Sequence, residues 1–236
     1  MKIHAAILAG GYGLRLGGDT PKQFLMLGSK PLVRWSVDVF ASCAEVESIV
    51  IACPENEMPR MKSLTNDCGK ILSVVAGGQT RQASSRKVVN SINCGDDDII
   101  VIHDAARPFV TAEMIMECAS KAAETGAAGI YILATDTVAE ISGSIVKSIP
   151  LRENLYYAQT PQAFKARLIK SSHDFAETQG GENATDDVSL VIAAGHRVSA
   201  VSGDAMNIKI TSRFDYDAAF QMALHLEANI IERVHP

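Results

Sequence analysis

No apolar stretch in this sequence approaches the roughly 18 to 20 residues that a bilayer-spanning helix needs. The short apolar run after Lys2 and His4 also lacks the length and cleavage site of a secretory signal, so a soluble, cytoplasmic protein with no membrane partner is expected. Cysteine pairs are missing too. Cys43, Cys53, Cys68, Cys94 and Cys118 are widely spaced, odd in number and set among apolar residues, which excludes a C-x-x-C zinc or redox pair and predicts reduced thiols. Cations do not predominate: 22 Lys and Arg stand against 27 Asp and Glu, for a net charge of -5. That balance argues against nucleic acid or an anionic membrane as partner, and any phosphate-binding charge must be gathered locally. Internal repeats and low-complexity tails are absent as well.

With 236 residues, 47% of them hydrophobic, the chain can bury a substantial core as one α/β domain. The most informative stretch runs from Leu8 through Ala9, Gly10, Gly11, Gly13 and Arg15 to Pro21-Lys22-Gln23. It follows the apolar run Ala5 to Leu8 and is expected to leave the C-terminal end of a first buried strand, where open α/β sheets keep their ligands. Glycines there let the backbone turn and bring N–H groups against an anion, and Arg15 and Lys22 add charge that a simple tight turn does not need. The loop is neither G-x-G-x-x-G nor a P-loop, because Leu14, Arg15 and Leu16 follow Gly13 and Asp19 follows Gly18. A bound polyphosphate is predicted.

Further elements follow from periodicity. Pro31 to Phe40 predicts a helix, Ser48 to Ala52 a strand, and Met58, Met61 and Leu64 one face of a second helix. Ile71 to Val75 predicts a third strand ending at a second glycine pair, Gly77-Gly78. A helix opened by Thr80-Arg81 follows. There a nucleobase could lie on bare backbone with the Ser84 hydroxyl at its edge, although a plain strand-to-helix turn fits equally. Ile99 to Ile102 predicts the fourth strand, which delivers His103, Asp104 and Arg107. A carboxylate at that edge is placed to hold Mg²⁺, and Asp104 is the metal candidate, with His103 given to the core. Arg107 is expected either to reach an anionic acceptor or to form a surface ion pair.

Ala112 to Thr125 predicts a helix and Gly129 to Leu133 a strand. The alternation then breaks at Thr135 to Ile149, where apolar residues around Ser142-Gly143 signal a hairpin with no helix to cover it. A partner subunit is the preferred cover, over the body of the same chain. The segment 152–162 returns from the hairpin and Ala163 to Phe175 is expected to be helical. Thr185-Asp186-Asp187 is a cap cluster for a helix from Val188 to Ala194. Val198 to Val201 and Asn207 to Thr211 are read as strands, and Arg213 to Arg233 as a closing helix.

Taken together, L-A-G-G-x-G-x-R, P-K-Q, G-G-x-x-R-x-x-S, H-D-A-A-R-P, R-x-x-L-Y, T-P-Q-A-F, T-D-D and N-I-K-I-T run in order over nearly the whole chain. In these the sequence resembles the 2-C-methyl-D-erythritol 4-phosphate cytidylyltransferases and their relatives, the ribitol 5-phosphate cytidylyltransferases. The resemblance implies an α/β fold: a Rossmann-like, mostly parallel sheet with helices on both faces and a projecting β-arm, here 136–158, that makes a homodimer. It implies that Arg15 and Lys22 contact the CTP triphosphate. Ala9, Gly10, Gly11, Gly13, Gly77, Gly78 and Ser84 would line the nucleotide, and Asp104 would hold Mg²⁺. Arm residues Thr137 and Arg152 would reach the acceptor phosphate of the neighbouring subunit, while Arg107, Thr185 and Lys209 would surround the acceptor or the phosphates. Gly10 and Tyr156 lean to the ribitol branch; Ala106 and Thr185, nearer the expected acceptor, lean to methylerythritol. The resemblance thus implies cytidylyl transfer from CTP to methylerythritol phosphate, with ribitol 5-phosphate as the alternative acceptor. A nucleotide sensor without catalysis and a glycosyltransferase are the other classes; Asp104-Ala105-Ala106 is not the D-x-D that the latter typically carries.

Overall fold

The computed structural model describes residues 1–11, 20–180 and 184–234. In chain order these form β1 (Ile3–Leu8), β2 (Met26–Leu27), β3 (Lys30–Pro31), α1 (Leu32–Ser42), β4 (Val46–Cys53), α2 (Met58–Leu64), β5 (Ile71–Ala76) and α3 (Arg81–Ser91). There follow β6 (Ile99–Asp104), α4 (Ala112–Thr125), β7 (Ala127–Leu133), β8 (Glu140–Ser142), β9 (Ile145–Ser148), β10 (Tyr156–Lys165), α5 (Ala166–Thr178), α6 (Asp187–Ala193), β11 (Ser199–Ser202) and α7 (Arg213–Val234).

Seven strands make one sheet in the order β11-β7-β10-β6-β1-β4-β5. All neighbouring pairs are parallel except those of β10, which runs antiparallel between β6 and β7. The inner parallel strands β1, β4 and β6 are largely apolar and buried because both faces are covered. Ile3, Ala5 and Ile7 of β1 point into a core shared with α1, α2 and α4. Ala6 and Leu8, one residue out of phase, point into a second core with α3, α5 and α6. Helix α7 closes a third cluster around Leu27, Leu32, Trp35, Phe109 and Ile210.

This topology sets the place of the site. From β1 the chain moves outward through β4 and β5, then crosses back to lay β6 on the other side of β1. The carboxyl ends of β1 and β6 therefore adjoin, with Leu8 opposite Asp104, and the chain leaves them in opposite directions. Such a switch point opens a crevice at the rim of an α/β sheet.

Three expectations fail in detail. Within the segment 152–162, Arg152–Asn154 form a single 3-10 turn and the chain from Tyr156 on is strand β10, which also takes the first residues of the helix expected from Ala163, so that α5 starts only at Ala166. Asn207 to Thr211 is not a strand: Ile208 and Ile210 sit in the α7 cluster, and one backbone bond, Ile210 N–H to the Ala106 carbonyl at 2.9 Å, ties the segment down. Helix α6 begins at Asp187, with Asp186 as its cap accepting from the Ser189 N–H at 3.0 Å. The hairpin at Ser142-Gly143 is present as the two-stranded β8–β9 sheet, with Gly143 at φ 61°. It is exposed throughout, including Ile141, Ile145, Val146 and Ile149. All five cysteines are free, and burial pushes the Cys53 thiol up to about 11 and the Cys118 thiol to about 12.

Candidate active site

A cleft of about 270 Å³ opens at the switch point, lined by Ala9, Gly10 and Gly11 after β1, by Lys22, by Gly78, Gln79, Thr80, Arg81 and Ser84 after β5, by Asp104 and by Lys209. Among the described residues of the lining, Lys22, Arg81 and Lys209 stand with a single carboxylate, Asp104, a local excess of positive charge on a chain of net charge -5; Lys22 Nζ donates to the Ile210 carbonyl at 3.2 Å.

Asp104 ends β6 with a buried carboxyl. Its Oδ1 accepts from Arg81 Nε at 3.1 Å and its Oδ2 from Lys209 Nζ at 2.6 Å. Burial alone would push this carboxyl up; the Arg81 and Lys209 charges overcome it and hold the group well below the usual carboxylate range. Arg81 opens α3, capped by Thr80, whose side chain accepts from the Ala83 N–H. Burial disfavours its charge, but Asp187 and Asp104 outweigh this and keep the guanidinium protonated.

The glycines serve close approach. None of Gly10, Gly11, Gly77 and Gly78 has a positive φ. A Cβ on Gly11 would lie 2.8 Å from Lys22 Cε, and one on Gly78 would lie 2.4 Å from the Ala83 Cβ. Bare backbone thus lets Lys22 lie across the first loop and α3 sit against the second. The Gly78 N–H donates to Ser84 Oγ at 3.0 Å, and that hydroxyl donates to the Thr80 carbonyl at 2.9 Å. Gly77 continues the strand ladder through its N–H to the Cys53 carbonyl at 2.8 Å.

Behind Asp104, His103 is fully buried, and burial pulls its pKa down to about 4. Its Nε2 lies 3.0 Å from the Arg107 carbonyl, which can only accept, so that nitrogen carries the proton. Nδ1 then accepts from Thr160 Oγ1 at 3.0 Å, and the same hydroxyl oxygen accepts from the Asp104 N–H at 3.1 Å. His103 is a neutral brace for the end of β6.

The IspD family model, described as 2-C-methyl-D-erythritol 4-phosphate cytidylyltransferase, matches residues 3–224. The chain belongs to this family. A curated relative with that name from Geotalea uraniireducens is 36% identical over 219 residues, covering 91% of this chain and 94% of its own length. A second from Geobacter metallireducens is 36% identical over 223 residues, with coverages of 91% and 94%. Among solved structures, 4-diphosphocytidyl-2C-methyl-D-erythritol synthase from Anaerococcus prevotii superposes with a TM-score of 0.82 at 26% identity, covering 94% of this chain and 95% of that one. The 2-C-methyl-D-erythritol 4-phosphate cytidylyltransferase of Thermus thermophilus gives a TM-score of 0.77 at 29% identity, with coverages of 94% and 99%.

Within the family fold, the cleft brings together Ala9, Gly10, Gly11, Lys22, Gly78, Ser84, Asp104 and Lys209 from the sequence-predicted set. Arg15 and Gly13 lie outside the described residues. Arg107 is not at the lining: its Nη1 donates to the Asn207 carbonyl at 2.7 Å and its Nη2 to the Ala158 carbonyl at 3.0 Å. Among the described residues Arg107 forms no ion pair; both bonds are to backbone, and together they tie the segment bearing Lys209 to strand β10. Thr137, Arg152 and Thr185 are exposed and do not line this cleft. Arg152 Nη1 donates to the Thr135 carbonyl at 3.2 Å. Sequence reading treated Arg81 only as a helix start. The signal for it was chemical: a carboxylate buried at a strand end needs compensating charge, and the fifth residue of G-G-x-x-R is a cation.

Proposed function

We propose that this chain transfers the cytidylyl group of CTP to the phosphate of 2-C-methyl-D-erythritol 4-phosphate and releases pyrophosphate. The observation that carries the reading is the convergence of Lys22, Arg81, Lys209 and Asp104, from four separate stretches of sequence, on a glycine-walled cleft at the switch point. The family membership and the names of the relatives support both the reaction and the acceptor.

The chemistry accords with a lining whose described residues include no histidine or cysteine. A phosphate monoester has a second pKa of about 6, so the acceptor is largely a dianion at neutral pH and needs no general base. The protein's task is to set the acceptor oxygen in line with the α-phosphorus of CTP and to offset the charge of two anions brought together. Lys22 and Lys209 would hold phosphate oxygens, and Arg15 is assigned the triphosphate from the motif alone. Backbone at Gly10, Gly11, Gly77 and Gly78, with Ser84, would receive the nucleoside.

The donor set fits a magnesium ion carried by the nucleotide. Among the described residues no group of three or more acidic, histidine or cysteine side chains gathers into a protein-made metal site. Magnesium binds through one or two carboxylates plus substrate phosphates, and Asp104 supplies one such carboxylate. When bound, the ion would neutralise phosphate charge; Asp104 would hold it.

The acceptor half of the site is proposed to be completed in a homodimer. The exposed Ile141, Ile145, Val146 and Ile149 on the hairpin favour a second copy as its cover, bringing Thr137 and Arg152 to the partner's cleft beside Arg107 and Thr185. A cytoplasmic location accords with the free cysteines and with the lack, among the described residues, of a helix long and apolar enough to cross a membrane.

Pyrophosphate release from CTP, measured with a panel of polyol phosphates, tests the proposal. Turnover with methylerythritol phosphate is expected; turnover with ribitol 5-phosphate alone would replace the acceptor, and release with neither would reject the reaction.

A further inference from the structure

We infer that Asp187, which no part of the reaction above uses, is a positioning residue: a buried carboxylate out of reach of substrate that holds Arg81 against Asp104 and fixes the first turn of α3 on the nucleotide side of the cleft. The inference rests on the cytidylyl-transfer reading and adds a residue to it.

Asp187 opens α6, and its side chain is 0% exposed. Oδ2 accepts from Arg81 Nη1 at 2.8 Å. Oδ1 accepts from Ser85 Oγ at 2.5 Å, with His173 Nε2 3.6 Å away. Its backbone N–H donates to Gln162 Oε1 at 3.1 Å, which anchors the start of α6 to the central strand β10. One carboxylate therefore grips residues 81 and 85, adjacent on one face of α3. The same turn presents Arg81 and Ser84 to the cleft.

A buried carboxylate is costly unless it is paired and hydrogen-bonded, and an apolar side chain would serve packing better. Burial pushes the Asp187 carboxyl up, but the Arg81 charge, the nearby His173 ring and the hydrogen bond from Ser85 prevail and keep it ionised. What the charge achieves here is directional. The planar guanidinium of Arg81 spans two carboxylates, Nε on Asp104 and Nη1 on Asp187, so its orientation is fixed at both edges. With Asp187 neutral, Arg81 keeps only Asp104 and can turn toward the phosphates or away from them. Asp104 then loses the fixed partner that holds it when Lys209 is drawn to substrate.

The test is calorimetric titration of CTP, with magnesium, into the full-length wild type and the variants D187N, R81K, R81Q and R81Q/D187N, well below each thermal midpoint. D187N, nearly isosteric, is expected to weaken CTP binding by about 10-fold, and R81K, which keeps charge but not the two-edged span, by a similar factor. The double variant should bind no more weakly than R81Q alone, because Asp187 acts through Arg81. A merely structural role would lower the midpoint while leaving affinity unchanged or the losses additive, and either result overturns the inference. If D187N does not fold, R81K decides: wild-type affinity in that variant overturns it. Absence of CTP binding by the wild type would instead reject the functional reading on which the inference rests.

Discussion

Replacing Lys209 by methionine removes one charge from the cleft while keeping most of the side chain's bulk. The backbone that carries it should not move, since it is held elsewhere: Ile210 N–H on the Ala106 carbonyl at 2.9 Å, Arg107 on the Asn207 carbonyl at 2.7 Å, and Asn207 Nδ2 on the Thr160 carbonyl at 2.9 Å. A unit charge pair at about 4 Å is worth roughly 4 kcal/mol at an effective dielectric near 20 and about 1 kcal/mol in bulk water. The Lys209 side chain is 38% exposed, so its interaction with a phosphate falls between those limits. About 2 kcal/mol is a fair figure, equivalent to a ~30-fold loss in kcat/KM. Pyrophosphate release at saturating acceptor and varied CTP measures it, and Lys209→Arg should recover part of the loss. The loss should also shrink at high salt, because this cation is partly solvated. A methionine variant with kcat/KM within about threefold of wild type, a difference of under 1 kcal/mol, would refute the assignment of Lys209 to the transferring phosphates.

Gly78→Ala would set a Cβ 2.4 Å from the Ala83 Cβ and 2.9 Å from the Ala83 carbonyl carbon, forcing α3 off the loop. A stability loss of about 1–3 kcal/mol in urea unfolding, together with weaker CTP binding, is expected. His103 has a folded pKa of about 4, below the ordinary value of 6.5, so the unfolded chain binds more protons between those two pH values. Its contribution is complete above about pH 6.5 and is lost as pH falls toward 4, for a total of about 3 kcal/mol. Urea unfolding at pH 5 and pH 7.5 should differ less in His103→Gln than in wild type. Finally, mixing Arg152→Ala with Lys22→Ala subunits should restore activity at one of two sites if Arg152 acts across a dimer; no recovery on mixing would return Arg152 to its own subunit or remove it from the site.

The inner parallel strands were legible because both their faces are covered, so the runs Ala5–Leu8, Ile49–Cys53 and Ile99–Ile102 within them stand out as apolar. Strand β10 was not, although it lies between two of the sheet's strands. Its middle reads Gln159-Thr160-Pro161-Gln162, a polar run around a proline, which speaks against a central strand. The structure resolves the contradiction through its partners. The register shifts between Gln159 and Gln162. The Gln159 side chain donates to the Asp204 carbonyl at 2.8 Å, the Thr160 hydroxyl joins His103 to the Asp104 backbone, and Gln162 caps the start of α6. Polar side chains in this strand tie down the loops of the site, which is why hydrophobic periodicity could not find it.

The same reasoning separates the cleft residues that motifs revealed from those they did not. Lys22 and Asp104 sit next to short local patterns, a glycine loop and a strand end, whose geometry implies a ligand before any partner is known. Arg81 and Asp187 make sense only as a pair, 106 positions apart in sequence, and each has an adequate local explanation: a residue at a helix start and a carboxylate in the first turn of another helix. Burial exposes the inadequacy of the second. A first-turn carboxylate is stabilised with its oxygens toward the helix N-terminus and solvent. Asp187 instead turns its own into a closed interior against Arg81 and Ser85, leaving the cap to Asp186. Charge balance in the cleft is therefore a property of folded contacts between α3, β6 and α6, and substitutions in α6 should change nucleotide binding although none of its residues lines the cleft.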